Sequence, residues 1–265
     1  MRLRRGWLGL ALAAALSAAG AAPAHAGEVV AVYAAYWAGL PAAEIRLRLR
    51  DGDAAYHDEI EISTRGLPQL IIHFKSTASA EGRLAAGRPA EPSRYDAVYD
   101  LRQRRDARVS MRFIPRGGAV IVERGPDDTS TKPPLAEHFR SNTVDPLTAF
   151  ERIRGVLRGP QHSPDSQFVI PVYDGARRFD IVGRVLPKTE AREGALRVEL
   201  TLRPIAGFKG ETSEDGDPDS APRKVDLLVT DDARVMPLSI TVPIFYMPLV
   251  VLFEHLCPTA ETCPG

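Results

Sequence analysis

The run "AEIRLRLR", residues 43–50, sets Ile45, Leu47 and Leu49 against Arg46, Arg48 and Arg50. A period of two places alternate side chains on opposite faces, so this run is a strand with one buried face and one cationic face. Asp51-Gly52 follows, and alternation resumes through Tyr56, Ile60 and Ile62. Two such runs joined by Asp-Gly predict a hairpin whose turn residues both take positive φ. Further alternating runs lie at 69–77, 95–101, 108–114, 119–124, 168–173, 177–186, 195–203, 224–230 and 235–242, with Gly, Pro, Asn and Asp clusters between them. About a dozen short strands joined by tight turns make an all-β protein. A sheet that large curls or closes, which also protects its edges. The expected fold is a curved antiparallel sheet forming an open or spiral β-barrel.

One segment has a different period. "DPLTAFERIRGVLRGP", residues 145–160, starts with Asp145 as a helix cap and Pro146 at the first helical position. Leu147, Phe150 and Ile153 fall on one helical face. Arg152, Arg154 and Arg158 suit the negative end of the helix dipole, and Gly159-Pro160 ends it. A lone amphipathic helix in a β-rich chain must cover apolar surface, at a face or an open end of the sheet.

The first 26 residues read as a secretory signal peptide: Arg2, Arg4 and Arg5, then an apolar stretch over 6–22, then Ala24-His25-Ala26 before Gly27. Cleavage there leaves one β-rich domain, residues 27–265. Losing three arginines and no acid leaves 31 basic against 34 acidic side chains, a formal charge of −3. That balance gives no footprint for nucleic acid. No later apolar run reaches the length of a membrane-spanning helix, so the mature chain is not expected to span a membrane. In an exported protein, Cys257 and Cys263 are expected to form a disulfide closing a small loop. The destination is the periplasm.

No pattern for chemistry stands out. His57, His73, His138, His162 and His255 are scattered, with no HExxH and no paired CxxC, so no metal site is expected. The acids of residues 211–219 lack the ligand frame of a calcium loop and read as a solvated loop. Arg102, Arg104, Arg105, Arg108 and Arg112 read as a solvated hairpin end. There is no nucleophile elbow and no phosphate loop, so neither a catalytic role nor a cofactor is expected. Glu59 and Glu61 alternate with Ile60 and Ile62 and so face water. In "QFVIPVYDGARRFDIVGRV", residues 167–185, Tyr173, Asp174, Arg177 and Arg178 surround Asp174-Gly175, which predicts a type I′ hairpin turn with Arg177 paired to Asp174 or to a cross-strand acid. Residues 244–253 are apolar without alternation, the pattern of a strand with both faces in apolar surroundings.

The signal segment, "VYAAYWAGLPAAEIRLRL", "DPLTAF", "IPVYDGARRFDIVGRV" and "VDLLVTDDARVMPLSITV" occur here in the order of a bacterial periplasmic family, domain of unknown function 3108, which the chain resembles over essentially residues 27–265. The resemblance implies an exported β-rich protein of uncharacterised activity and supplies no catalytic residues. The function expected from the residues is binding of a hydrophobic, lipid-like ligand or an envelope partner on the concave face of the sheet. Trp37, Phe74, Phe150, Phe245 and Tyr246 are the expected lining or lid. A scaffolding protein with a filled barrel is the alternative, and a hydrolase a more distant one.

Overall fold

The computed structural model describes residues 27–66, 69, 74–101, 104–123, 134–159, 163, 165–187, 191, 193–208, 221–244, 247–257 and 263. The expected signal segment, residues 1–26, lies outside them. The strands are β1 (Glu28–Trp37), β2 (Leu40–Asp51), β3 (Ala55–Thr64), β4 (Phe74–Ala85), β5 (Arg88–Leu101), β6 (Arg104–Arg112), β7 (Ile121–Glu123), β8 (Gln167–Tyr173), β9 (Arg178–Val185), β10 (Ala195–Ala206), β11 (Arg223–Thr230), β12 (Pro237–Ile244) and β13 (Met247–Cys257). They form one antiparallel sheet in the order β7-β6-β5-β4-β3-β2-β1-β13-β12-β11-β10-β9-β8. The sheet is therefore two meanders, β1–β7 and β8–β13, joined where the first strand pairs with the last. Its ends, β7 and β8, do not pair with each other, so the barrel is open.

The alternation seen in the sequence sets the two faces. Ile45, Leu47, Leu49 and Asp51 point inward from β2, as do Tyr56, Asp58, Ile60 and Ile62 from β3. The register pairs them in order, Ile45 with Ile62 through Asp51 with Tyr56. Outward, Arg48 and Arg50 each bridge Glu28 and Glu59. Such half-exposed pairs fix register more than they stabilise. Glu59 and Glu61 lie on this outer face, as expected from the sequence.

Several strands run longer than their alternation. Glu28–Trp37 and Phe74–Ala85 carry small residues inward, among them Ala31, Ala35, Ala78, Ala80 and Gly82, which blunts the apolar signal. Residues 69–77 are not one strand: Gln69 is helical and β4 begins at Phe74. Both Asp-Gly turns also depart from expectation. Asp51 is the last residue of β2, and the turn runs through Gly52–Ala54, closed by Gly52 N–H donating to the Ala55 carbonyl at 2.8 Å. At 174–177 only Gly175 takes a positive φ, +95°. The turn is a four-residue loop in which Asp174 Oδ1 accepts from Ala176 N–H and Arg177 N–H, and Oδ2 accepts from Arg177 Nε at 2.9 Å. The carboxylate does the work that two positive φ angles would do in a type I′ turn.

The described residues between β7 and β8 carry the helices. After a single helical turn, α1 (Glu137–Arg140), comes α2 (Pro146–Arg158), capped by Asp145 as the sequence predicts. Helix α2 closes the end of the barrel formed by the β2–β3, β4–β5 and β11–β12 turns. Arg152 Nε donates to the Ala90 carbonyl, Arg154 Nε to that of Arg234 and Arg158 Nε to that of Ala233. On the way in, Val144 pairs with Val172 and covers part of the free edge of β8. Tyr173 at the end of β8 is fully buried in one cluster with Tyr95 and Met111 of the other meander. The sheet therefore curls until its two lobes touch, without a shared ladder.

Cys257 and Cys263 form the expected disulfide, with Cα atoms 5.3 Å apart. It caps a small apolar patch of Val30 and Val32 on the outer face. His255 lies within 4.8 Å of the two sulfurs, but these are bonded to each other and are not available as thiolate ligands.

Candidate functional site

Burial of the inner face is graded along the barrel. Near α2 the inward residues Leu47, Leu49, Tyr56, Ala80, Tyr95, Val198, Leu227 and Val229 are buried. At the opposite end the inward residues Ile45, Ile62, Phe74, Tyr99, Phe179, Leu202, Val242 and Leu249 are only part-buried. Around that open end Trp37, Leu40 and Met247 are 45%, 52% and 47% exposed. Exposed apolar side chains scattered singly need no explanation, but these three stand together around one mouth, next to the part-buried inward residues. Helix α2 seals one mouth and leaves the other open.

The sealed end holds a buried polar network. Asp145, fully buried, accepts from Thr148 N–H at 2.8 Å and from the Thr148 hydroxyl. That hydroxyl also meets the Tyr56 hydroxyl across the sheet–helix seam. Arg154, 3% exposed, pairs with Glu151 and reaches Asp51 at 2.9 Å, and Arg158 bridges the same two acids. Asp58, 0% exposed, makes no hydrogen bond among the described residues through either carboxylate oxygen. Burial pushes its carboxyl up to about 8, with the Glu151 charge adding to the effect, so it is held protonated at neutral pH. Burial likewise raises Asp145 to about 6, against the pull of its hydrogen bonds to Thr148. It raises Tyr56 and Glu151 too. Four acids thus face Arg154 and Arg158 at the seam: Asp51 and Glu151 pair with them, Asp145 is held by Thr148, and Asp58, with neither, keeps its proton.

Among the cavities on the described surface, three bear on function. A cleft of about 610 Å³ beside the seam is lined by Asp51, Tyr56, His57, Glu81, Gly82 and Ser93, among others. It brings together an acid, a histidine and a hydroxyl, the grouping a hydrolase would need, but their contacts do not form a relay. His57 faces Glu59 at 2.9 Å and Glu81 at 3.9 Å, one from each ring nitrogen, and the Ser93 hydroxyl donates to the Glu81 carbonyl. A second, of about 380 Å³, lies on the outer face among Arg46, Arg48, Glu59, Asp96 and Cys263. A third, of about 200 Å³, sits at the open end against β9, β10 and β11, lined by Arg177, Phe179, Leu202, Pro204, Phe208, Ala221 and Arg223.

The residues singled out from sequence are only partly gathered. Trp37 stands on the open rim, opposite Leu40 and Leu249 in the ladders. Phe74 opens β4 with its N–H bonded to Thr64 Oγ1. Phe150 packs from α2 against the Tyr33, Leu49 and Val251 cluster, with Arg154 5.8 Å from its ring centroid. It is thus part of the plug and not of a lid. None of these three lines the cavities above. Phe245 and Tyr246 lie outside the described residues. Arg154, expected to serve the helix dipole, is instead buried in the seam. What sequence reasoning missed had a signal: Asp51 and Asp58 sit at inward-facing positions of alternating strands, where an acid must find a partner or keep its proton.

A family model described as a protein of unknown function, DUF3108, matches residues 32–247. The chain belongs to the DUF3108 family. Its fold is similar to that of a crystal structure described as a β-barrel-like protein of domain of unknown function DUF1849 from Brucella abortus. That match has a TM-score of 0.50 and 10% identity and covers 87% of this chain and 97% of that one. At that identity the likeness speaks for the fold alone. No curated protein matches the DUF3108 chain. The comparisons point to no catalytic family.

Proposed function

We propose that this DUF3108 protein is exported to the periplasm after loss of residues 1–26 and binds an elongated apolar, lipid-like ligand on its concave face, without catalysing a reaction. One observation carries the reading: the inward apolar residues are buried where α2 covers them and half-bare where it does not. A barrel filled only for rigidity would have no reason to leave Ile45, Ile62, Val242 and Leu249 half-exposed at one mouth, since each stabilises in proportion to the apolar area it removes from water. The open edge of the sheet lets the mouth widen around a chain. The sealed end, pinned by the seam network, sets how deep a ligand goes.

The test is extraction and mass spectrometry of lipid from protein purified natively out of the periplasmic fraction, beside a Leu249→Glu variant that keeps its melting temperature. Lipid bound to the wild type at near one per chain, and lost from the variant, supports the reading. Wild-type protein that carries no lipid and takes up no apolar fluorescent probe overturns it. Amino-terminal sequencing of the same sample returns Gly27 if export removes the leader.

A further inference from the structure

We infer that His255, Cys257 and Cys263 make a redox-gated zinc site, closed while the two sulfurs are bonded to each other and opened by reduction. The site stands apart from the apolar-ligand reading and lies on the other face of the sheet.

His255 and Cys257 are two residues apart on β13, so their side chains leave the strand on the same side. The ladder sets them opposite Val32 and Val30 of β1, which in turn face Arg46 and Arg48 of β2, and this is the outer face. Cys263 returns to the same spot, its Cα 5.3 Å from that of Cys257. An imidazole nitrogen and the two sulfurs then lie within 4.8 Å of one another. A bridge that only ties down the chain needs two sulfurs and no third donor. Two thiolates with one imidazole are a donor set for zinc. Zinc–sulfur bonds of about 2.3 Å and a zinc–nitrogen bond of about 2.0 Å set tetrahedral ligand atoms about 3.5–3.8 Å apart. Rotation about the Cα–Cβ bonds brings the three donors to that spacing from where they stand. The charges match as well. The two thiolates cancel the double charge of the ion, and Arg48, two strands away, is already matched by Glu28 and Glu59. Cys263 also lines the outer cleft of about 380 Å³, so the fourth coordination position faces water.

Exposure sets the order in which the gate opens. Cys257 is 5% exposed, whereas Cys263 is half-buried and His255 exposed. A dithiol reductant therefore attacks Sγ of Cys263, and Cys257 leaves as the thiolate. The second thiol of the reductant then displaces Cys263 from the mixed disulfide. The reductant gives up two electrons and two protons and departs as a disulfide, leaving both cysteines as thiols. Zinc displaces those two protons and takes a lone pair from neutral His255.

The experiment titrates Zn²⁺ into natively purified protein, reduced with a phosphine under nitrogen or left oxidised, in competition with a chromophoric chelator. The reduced wild type is expected to take up one zinc per chain and the oxidised protein none. His255→Ala, a change at an exposed position, is expected to weaken binding to the reduced chain at least about tenfold. Co²⁺ in place of zinc is expected to give the thiolate-to-metal absorption and the intense visible bands of a tetrahedral site, with the visible bands shifted in His255→Ala. A reduced wild type that binds no zinc overturns the site, as does equal affinity in His255→Ala. A reduced chain that loses its β-sheet circular dichroism overturns it too, since no folded protein then presents the three donors.

Discussion

Arg154 of α2 and Asp51 of β2 are 103 residues apart in the chain and 2.9 Å apart in the folded protein. Through that contact, and through Glu151, the helix is locked into the end of the barrel. Taking one charge from such a group leaves the others buried and uncompensated. Arg154→Met is expected to destabilise by about 3–5 kcal/mol. Glu151→Gln/Arg154→Met, which removes a charge of each sign, is expected to lose clearly less. Urea melts of the two variants against wild type check the ordering.

The seam also makes stability depend on pH. Asp58, raised to about 8, and Asp145, raised to about 6, are both held above their unfolded values. Across the window from the ordinary carboxylate range up to pH 8, the folded protein therefore binds more protons than the unfolded chain. Stability falls as pH rises through that window. Asp145 contributes up to about 6, and Asp58 continues to about 8. Asp96 works in the reverse sense, because its hydrogen bond from Arg94 holds its carboxyl low, so its contribution is present at neutral pH and is lost on acidification. Asp58→Asn is expected to flatten the fall between pH 6 and pH 8, where one proton changes stability by up to about 1.4 kcal/mol per pH unit. Chemical denaturation at each pH measures the slope, and an unchanged slope in the variant would exclude Asp58 as its source.

Gly183 of β9 lies beneath the Phe168 ring, and a Cβ there would come within 2.0 Å of the ring. Gly183→Ala is expected to cost about 1–3 kcal/mol by overpacking. Gly183→Ala/Phe168→Leu should recover part of that, since the obstacle is a side chain. Gly82 is different: its Cβ would meet the Glu91 carbonyl at 2.2 Å, which is backbone in the neighbouring strand. Gly82→Ala is therefore expected to resist rescue by Tyr56→Phe or Tyr56→Leu. Thermal melts of the two rescue pairs separate the cases.

Loss of the Cys257–Cys263 bridge is expected to cost about 2 kcal/mol, because the loop it closes is short. Cys257→Ser/Cys263→Ser should keep its uptake of an apolar fluorescent probe, since the bridge sits on the outer face beside Val30 and Val32. A melt and a binding titration on the same variant check both halves.

The sheet, the helix with its Asp145 cap and the disulfide were legible because each rests on local chemistry: a period of two, a period near four, and two cysteines close together near residue 260. β1 and the early part of β5 were harder to read, because alanine and glycine facing inward make a weak alternation. The turns were misread because Asp51 still belongs to β2, its turn starting only at Gly52, and because Asp174 uses its side chain and not its φ angle. The seam was hidden for a different reason. Asp51, Asp58, Tyr56 and Arg154 meet only through tertiary packing, and nothing in the spacing of a strand shows which helix will lie across it. Aromatic content pointed to Trp37 and Phe150, but one became rim and the other plug. Arg177 and Arg223, some forty-six positions apart, come together only because β9, β10 and β11 are neighbours.

The central pairing of Glu28–Trp37 with Met247–Cys257 has a consequence for how the protein is made. The middle of the sheet cannot zip until the last strand has left the ribosome, and, for an exported chain, until it has cleared the translocation pore. Contacts spanning nearly the whole polypeptide form slowly. Until then each meander offers an unsatisfied strand edge, the surface on which a holding chaperone would act.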